Sequence, residues 1–127
     1  MRYKLFISAA GRGTRVSGLT SINKSLLPIN NEAVISKIID SYPKKIEIVI
    51  ALGHEKEIVK NFLKIRHADR KFTFVIIKKY KGIGSGPGYS LYQCRKYLQC
   101  PFIYSSCDTL VLEKVPPPNS NWLGISK

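Results

Sequence analysis

This sequence is short of the residues from which metal centres, redox pairs and membrane spans are built. It has three cysteines, Cys94, Cys100 and Cys107, an odd number whose wide spacings form neither a CxxC redox pair nor a zinc knuckle. Reduced, buried thiols are expected. Of its two histidines, His54 and His67, neither has a second ligand at metal spacing, so both read as ordinary surface or core residues. No apolar stretch runs far before a Lys, Gly or Pro interrupts it, well short of the roughly 20 residues that cross a bilayer. The start, MRYKLFISAAGRG, places arginines directly after its small residues and reads as a buried first strand rather than a leader. Together these absences lead us to expect a cytoplasmic chain with no membrane partner.

Acidic residues are also scarce: 8 Asp and Glu stand against 21 Lys and Arg, a formal net charge of +13. Such an excess predicts attraction to a polyanion, either nucleic acid or nucleotide. The lysines are scattered, however, with Lys44 and Lys45, Lys56, Lys60 and Lys64, Lys78, Lys79 and Lys81, and Lys96 in separate segments. Neither a helix-turn-helix nor an aromatic RNA-binding strand accompanies them. Most read as solvated faces. Nucleic acid is therefore not the expected partner, although a basic nucleic-acid-binding protein stands as an alternative.

What is present is alternation. Tyr3 to Ala9 reads as a strand buried on both faces. SLLPI is a short extended piece, because the residue before Pro28 is pushed out of helical geometry. NNEAVISKIIDSY places Ile35, Ile38, Ile39 and Tyr42 at helical spacing behind an asparagine cap. Ile46 to Leu52 is a second strand ending at Gly53. EKEIVKNFLKI is a helix with Ile58, Val59, Phe62 and Leu63 inward, and Phe72 to Ile77 a third strand. KGIGSGPG then leads into a helix with Leu91, Cys94 and Leu98 on one face, and PFIYSSCDTLV is a fourth strand running into Asp108. This predicts one Rossmann-like α/β domain over residues 1–127, with a mostly parallel sheet and helices on both faces. Ligands of such sheets sit at the carboxyl ends of the strands. Gly11, Gly53, Gly84 and Asp108 are expected along that edge.

The stretch FISAAGRGTR carries the sharpest chemical signal. A dinucleotide fingerprint beginning at Gly11 would need glycine where Val16 stands, and a Walker loop beginning at Gly13 would need lysine where Leu19 stands. Both fail, yet the physics of a phosphate cradle remains. Gly11 and Gly13 let backbone N–H groups turn toward an anion, Thr14 adds a hydroxyl, and Arg12 and Arg15 can fork onto phosphate oxygens. Lys24 is a candidate second cationic contact. Asp108, at the carboxyl edge, would face the phosphates, where Mg²⁺ could bridge the two. The plainer alternatives are exposed charges at Arg15 and Lys24 and a turn cap at Asp108.

The run SAAGRGTRVSGLTSINKSLLPINNEAVISKIID resembles the opening of the nucleotidyltransferases that join a nucleoside triphosphate to a sugar phosphate or a related phosphorylated alcohol. Their signature is a strand, AAGxGTR, a loop carrying Pro-Lys, and LLP. The spacing from Gly11 to Lys24 and the following LLPI agree, while Asn23 replaces the proline before the lysine, a departure expected to loosen the loop. The resemblance implies the nucleotide-diphospho-sugar transferase type of fold in truncated form, with Ala10, Gly11, Arg12, Gly13 and Thr14 on the nucleotide and Arg15 and Lys24 as catalytic cations. It further implies that Ser85 and Gly86 lie against the base, although both could merely cap a helix beginning near Pro87, and that Asp108 helps hold Mg²⁺. The implied reaction transfers a nucleoside monophosphate from an NTP, a pyrimidine one being preferred, to a phosphorylated small-molecule acceptor, with release of pyrophosphate. Members of the family are longer, and their second half supplies the acceptor pocket. The alternative within this resemblance is a non-catalytic nucleotide-binding or regulatory module. Trp122 reads either as the first wall of an acceptor site or as a buried edge residue.

Overall fold

A computed structural model describes residues 2–11 and 22–125. Its centre is a four-stranded sheet of β1 (Lys4–Ala9), β4 (Glu47–Leu52), β5 (Phe72–Ile76) and β6 (Phe102–Ser106), in the order β5-β4-β1-β6. Every pairing is parallel, with Phe6 opposite Val49 and Tyr104, and Ile50 opposite Phe74. The strands are apolar on both faces because both faces are covered. Leu5, Ile7, Ile48, Ile50 and Leu52 face one core with α1 (Val34–Asp40) and α2 (Lys56–Arg66). Phe6, Val49 and Ala51 face a second core with Cys94 and Leu98, beside α3 (Pro87–Gln93). The period of two in the strands thus divides one sequence between two cores, as the alternating pattern predicted.

Several boundaries depart from the sequence reading. The asparagines do not cap α1. Asn30 and Asn31 have φ of 51° and 66° and turn a hairpin between β2 (Pro28–Ile29) and β3 (Glu32–Ala33), a conformation their short polar side chains tolerate. The helix then starts at Val34, whose N–H donates to Leu27 O. SLLPI is extended only at its end, since residues Lys24–Leu26 form a 3₁₀ turn. On α2, Val59 and Leu63 are fully buried, but Ile58 is 57% exposed. Its apolar character followed the pattern while the sheet reached only the neighbouring stripe. The fourth strand stops at Ser106, two residues before Asp108.

In sequence order the sheet reads third, second, first and fourth strand. The direction of winding reverses between β1 and β6, which is where a doubly wound sheet opens a crevice at its carboxyl edge.

Candidate functional site

A cleft of about 180 Å³ lies at that reversal. Ser8, Ala10 and Gly11 come to it from the end of β1, Ser106 and Asp108 from the end of β6, and Lys24 from the 3₁₀ turn. Ser85, Gly86 and Pro87 enter from the second glycine loop, with Tyr80 ahead of them. Of the residues singled out from sequence, Ala10, Gly11, Lys24, Ser85, Gly86 and Asp108 are thus gathered around one space. Arg12, Gly13, Thr14 and Arg15 lie outside the described residues.

The charges in the cleft face each other. Lys24 Nζ stands 3.1 Å from Asp108 Oδ2, with the two side chains 33% and 45% exposed. Burial alone would raise the Asp108 pKa, but the hydrogen bond and charge of Lys24 outweigh it and hold the carboxyl below its ordinary range. The acid is therefore an anion at neutral pH, held chiefly by Lys24 with help from the Ser106 hydroxyl and its own backbone N–H. Next to it, burial pushes the Cys107 thiol up to about 11, which leaves it protonated and unsuited to nucleophilic work. All three cysteines are free.

The glycine loop needs its glycines. Gly82, Gly84 and Gly86 have φ of 86°, 82° and 144°, values that side chains with a Cβ rarely adopt. Gly86 is also the N-cap residue of α3, with Pro87 in the first turn, so lining the cleft and starting the helix are one placement. Gly53 makes room differently. A Cβ there would lie 2.7 Å from Ala10 O and 2.8 Å from Tyr80 Cβ, so its bareness lets Tyr80 close over the β4–α2 turn. Tyr80 and Tyr104 were not singled out from sequence, because nothing in a lone tyrosine's spacing reveals which wall it reaches. Gly53 was the one available signal.

Asn23, the departure from the family pattern, is itself held in place, while residues 12–21 of the loop before it lie outside the described residues. Its side chain is buried and fully bonded: Nδ2 donates to His54 O at 2.9 Å and Ala9 O at 3.5 Å, and Oδ1 accepts from Ser25 N at 3.0 Å and Ser25 Oγ at 2.8 Å.

A larger cavity, of about 650 Å³, lies along the outer edge of β6, with Tyr104, Asn121 and Trp122 among its walls. Among the described residues its lining contains no Lys, Arg, Asp or Glu. Trp122 is 41% exposed there rather than buried. Among the described residues, no three His, Cys, Asp or Glu side chains cluster to hold a metal, and no helix is long and apolar enough to cross a membrane.

This arrangement of parallel sheet, reversal cleft and flanking helices is the fold of the nucleotidyltransferases, the class to which the matching solved structures belong. In particular, the chain is similar to the CTP:phosphocholine cytidylyltransferase of Streptococcus pneumoniae, at 27% identity and a TM-score of 0.74 over 95% of this chain and 51% of that one. A nucleotidyl transferase from Methanothermobacter shares 22% identity, with a TM-score of 0.64 over 84% of this chain and 50% of that one. For the inositol-1-phosphate CTP transferase of T. maritima the values are 19% and 0.60, over 85% of this chain and 44% of that one. The chain spans about half the length of the structures it matches. No protein-family model matches it, and no curated protein matches it by sequence.

Proposed function

We propose that this chain is the nucleotide-binding part of a nucleotidyltransferase that transfers a nucleoside monophosphate from an NTP to a sugar phosphate or phosphorylated alcohol. The observation that carries this reading is the Lys24–Asp108 pair, 3.1 Å apart across a cleft at the sheet's reversal point. A half-exposed cation and an ionised acid that pair with each other are poised to exchange partners when a metal–triphosphate arrives. In the reaction a phosphate oxygen of the acceptor attacks the α-phosphorus, the bond to the oxygen bridging to the β-phosphorus breaks, and pyrophosphate leaves. No covalent link to the protein is required. The protein's contribution is positioning and charge neutralisation. The Gly11 to Arg15 loop would hold the triphosphate, with Ala10 at its base, while Arg15 and Lys24 meet the charge that develops on it. Ser85 and Gly86 would lie against the base.

Mg²⁺ suits this site as a hard cation. It asks for one or two carboxylates and completes its shell with phosphate oxygens and water, and Asp108 supplies one ionised, accessible carboxylate. When bound, the ion would neutralise phosphate charge. A pyrimidine triphosphate is the proposed donor, supported by similarity to two proteins that use CTP. Because the chain spans about half of those proteins, a second reading is a module that binds nucleotide without transferring it.

Thermal stabilisation by each of the four triphosphates, with and without Mg²⁺, tests the proposal. Mg²⁺-dependent stabilisation, largest with CTP or UTP and lost in Asp108→Ala, is expected. No stabilisation by any of them would overturn nucleotide binding. Binding without pyrophosphate release when phosphocholine and sugar phosphates are supplied selects the second reading.

A further inference from the structure

The cationic tip of Lys24 sits on a long, flexible stem, and a lysine free to sample its rotamers gives up side-chain entropy when fixed. What fixes its base is the residue before it. Asn23 is 1% exposed, and all four hydrogen-bonding capacities of its amide are used. The two sides of the amide have different tasks. The oxygen caps the 3₁₀ turn that begins at Lys24 by accepting from both the N–H and the hydroxyl of Ser25, and Ser25 is itself fully buried. The nitrogen ties that turn to the carbonyls of Ala9, at the end of β1, and His54, after β4. Carbonyls on one side and donors on the other allow a single orientation of the amide. The turn closes independently through Leu26 N to Asn23 O at 2.9 Å, so the tether positions the turn and does not create it.

We infer that Asn23 is a positioning residue that holds Lys24 at the cleft by tethering its turn to the ends of β1 and β4. The consequence for phosphate binding rests on the function proposed above; the tether itself does not. Proline at this position would stiffen the backbone but has no side chain that could reach Ala9 and His54, so the asparagine reaches a fixed lysine by a different physical route.

The test is a double-mutant cycle read by calorimetric titration with Mg²⁺–CTP and with Mg²⁺–tripolyphosphate. Asn23→Ser keeps a capping oxygen and a neutral side chain but is too short for the tether. It is expected to weaken tripolyphosphate binding about tenfold in the wild-type background and less than about twofold in a Lys24→Ala background, since coupled residues are non-additive. Equal losses in both backgrounds would mean a general structural role and would overturn the inference. A second readout needs no nucleotide: the acetylation rate of each lysine in the free protein, measured by peptide mass spectrometry. Asn23→Ser should raise the rate at Lys24 several-fold relative to Lys45, and Asp108→Ala should raise it likewise. An unchanged Lys24 rate in folded Asn23→Ser overturns the inference. If the wild type binds neither CTP nor tripolyphosphate, the proposed function fails while the labelling still decides the role of Asn23.

Discussion

The two ends of the parallel sheet each gather buried polar side chains, and they satisfy them in opposite ways. At the amino end, Arg70 turns inward and donates to the carbonyls of Ile39, Tyr42 and Pro43, closing the C-terminus of α1 where free carbonyls collect. His67 sits beside it with Nε2 2.9 Å from Ser36 Oγ. Every hydrogen-bond partner of the Arg70 guanidinium there is a backbone carbonyl, a fixed part of the fold. At the carboxyl end, Asn23 is likewise saturated, but the charges beyond it, Lys24 and Asp108, pair chiefly with each other while half-exposed at the cleft. A charge answered by backbone is committed to structure, whereas one answered by another mobile charge can be released to a ligand. The difference separates a structural knot from a binding site although both are rich in polar residues.

If that contrast holds, substitutions at the amino end should cost stability and leave binding alone. Arg70→Ala would strand three carbonyls, and the expected loss is about 3 kcal/mol, read as a lower urea midpoint with the nucleotide affinity of the folded protein unchanged. A matching loss of affinity would erase the distinction between the ends. Gly53→Ala should come next, at about 2 kcal/mol, because the new methyl must displace the Ala10 carbonyl and Tyr80. Here both stability and nucleotide binding should fall, since Tyr80 lines the cleft. An unchanged affinity for Mg²⁺–CTP would show that Tyr80 takes no part in it.

The sheet was legible in the sequence because strands buried on both faces leave dense β-branched runs that no surface element imitates. The edge that carries the cleft was legible for the same reason: once the elements alternate, chain direction follows. Gly11, Gly53, Gly84 and Asp108 could therefore be assigned to one edge from the alternation alone, while Ser85 and Gly86 were placed by the family resemblance. The asparagine hairpin was misread as a helix cap because Asn suits both left-handed turns and N-caps, and only the pairing of Pro28 with Ala33 decides between them. Ile58 was misread because periodicity reports which residues could face a core and not how wide the core is. Arg70 left no trace, since a buried arginine is invisible until the carbonyls it closes have been brought together from residues 39 to 43.

The cleft pair should show the reverse of Arg70. Asp108→Ala removes a half-exposed ion pair that solvent screens, so its cost in stability should stay below about 1 kcal/mol. The same change should abolish the Mg²⁺-dependent part of nucleotide stabilisation. A large loss of stability without ligand would make the pair a structural bridge and cancel the contrast.

The smallest expected effect concerns His67. Burial, aided by the charges of Arg66 and Arg70 and opposed by Asp40, lowers its pKa below the ordinary 6.5. The fold therefore favours the neutral ring. Above pH 6.5 both folded and unfolded chains carry it neutral, and its contribution to stability is fully present. As pH falls from there through the depressed folded value, the unfolded chain takes up the proton first and stability is lost. Urea unfolding at a series of pH values should show this decline in the wild type and a flatter one in His67→Gln, while the affinity for Mg²⁺–CTP changes equally with pH in both proteins. A His67-dependent change in affinity would mean that the amino end of the sheet communicates with the cleft, through α1 or the core behind it, and the two ends would have to be treated as one coupled network.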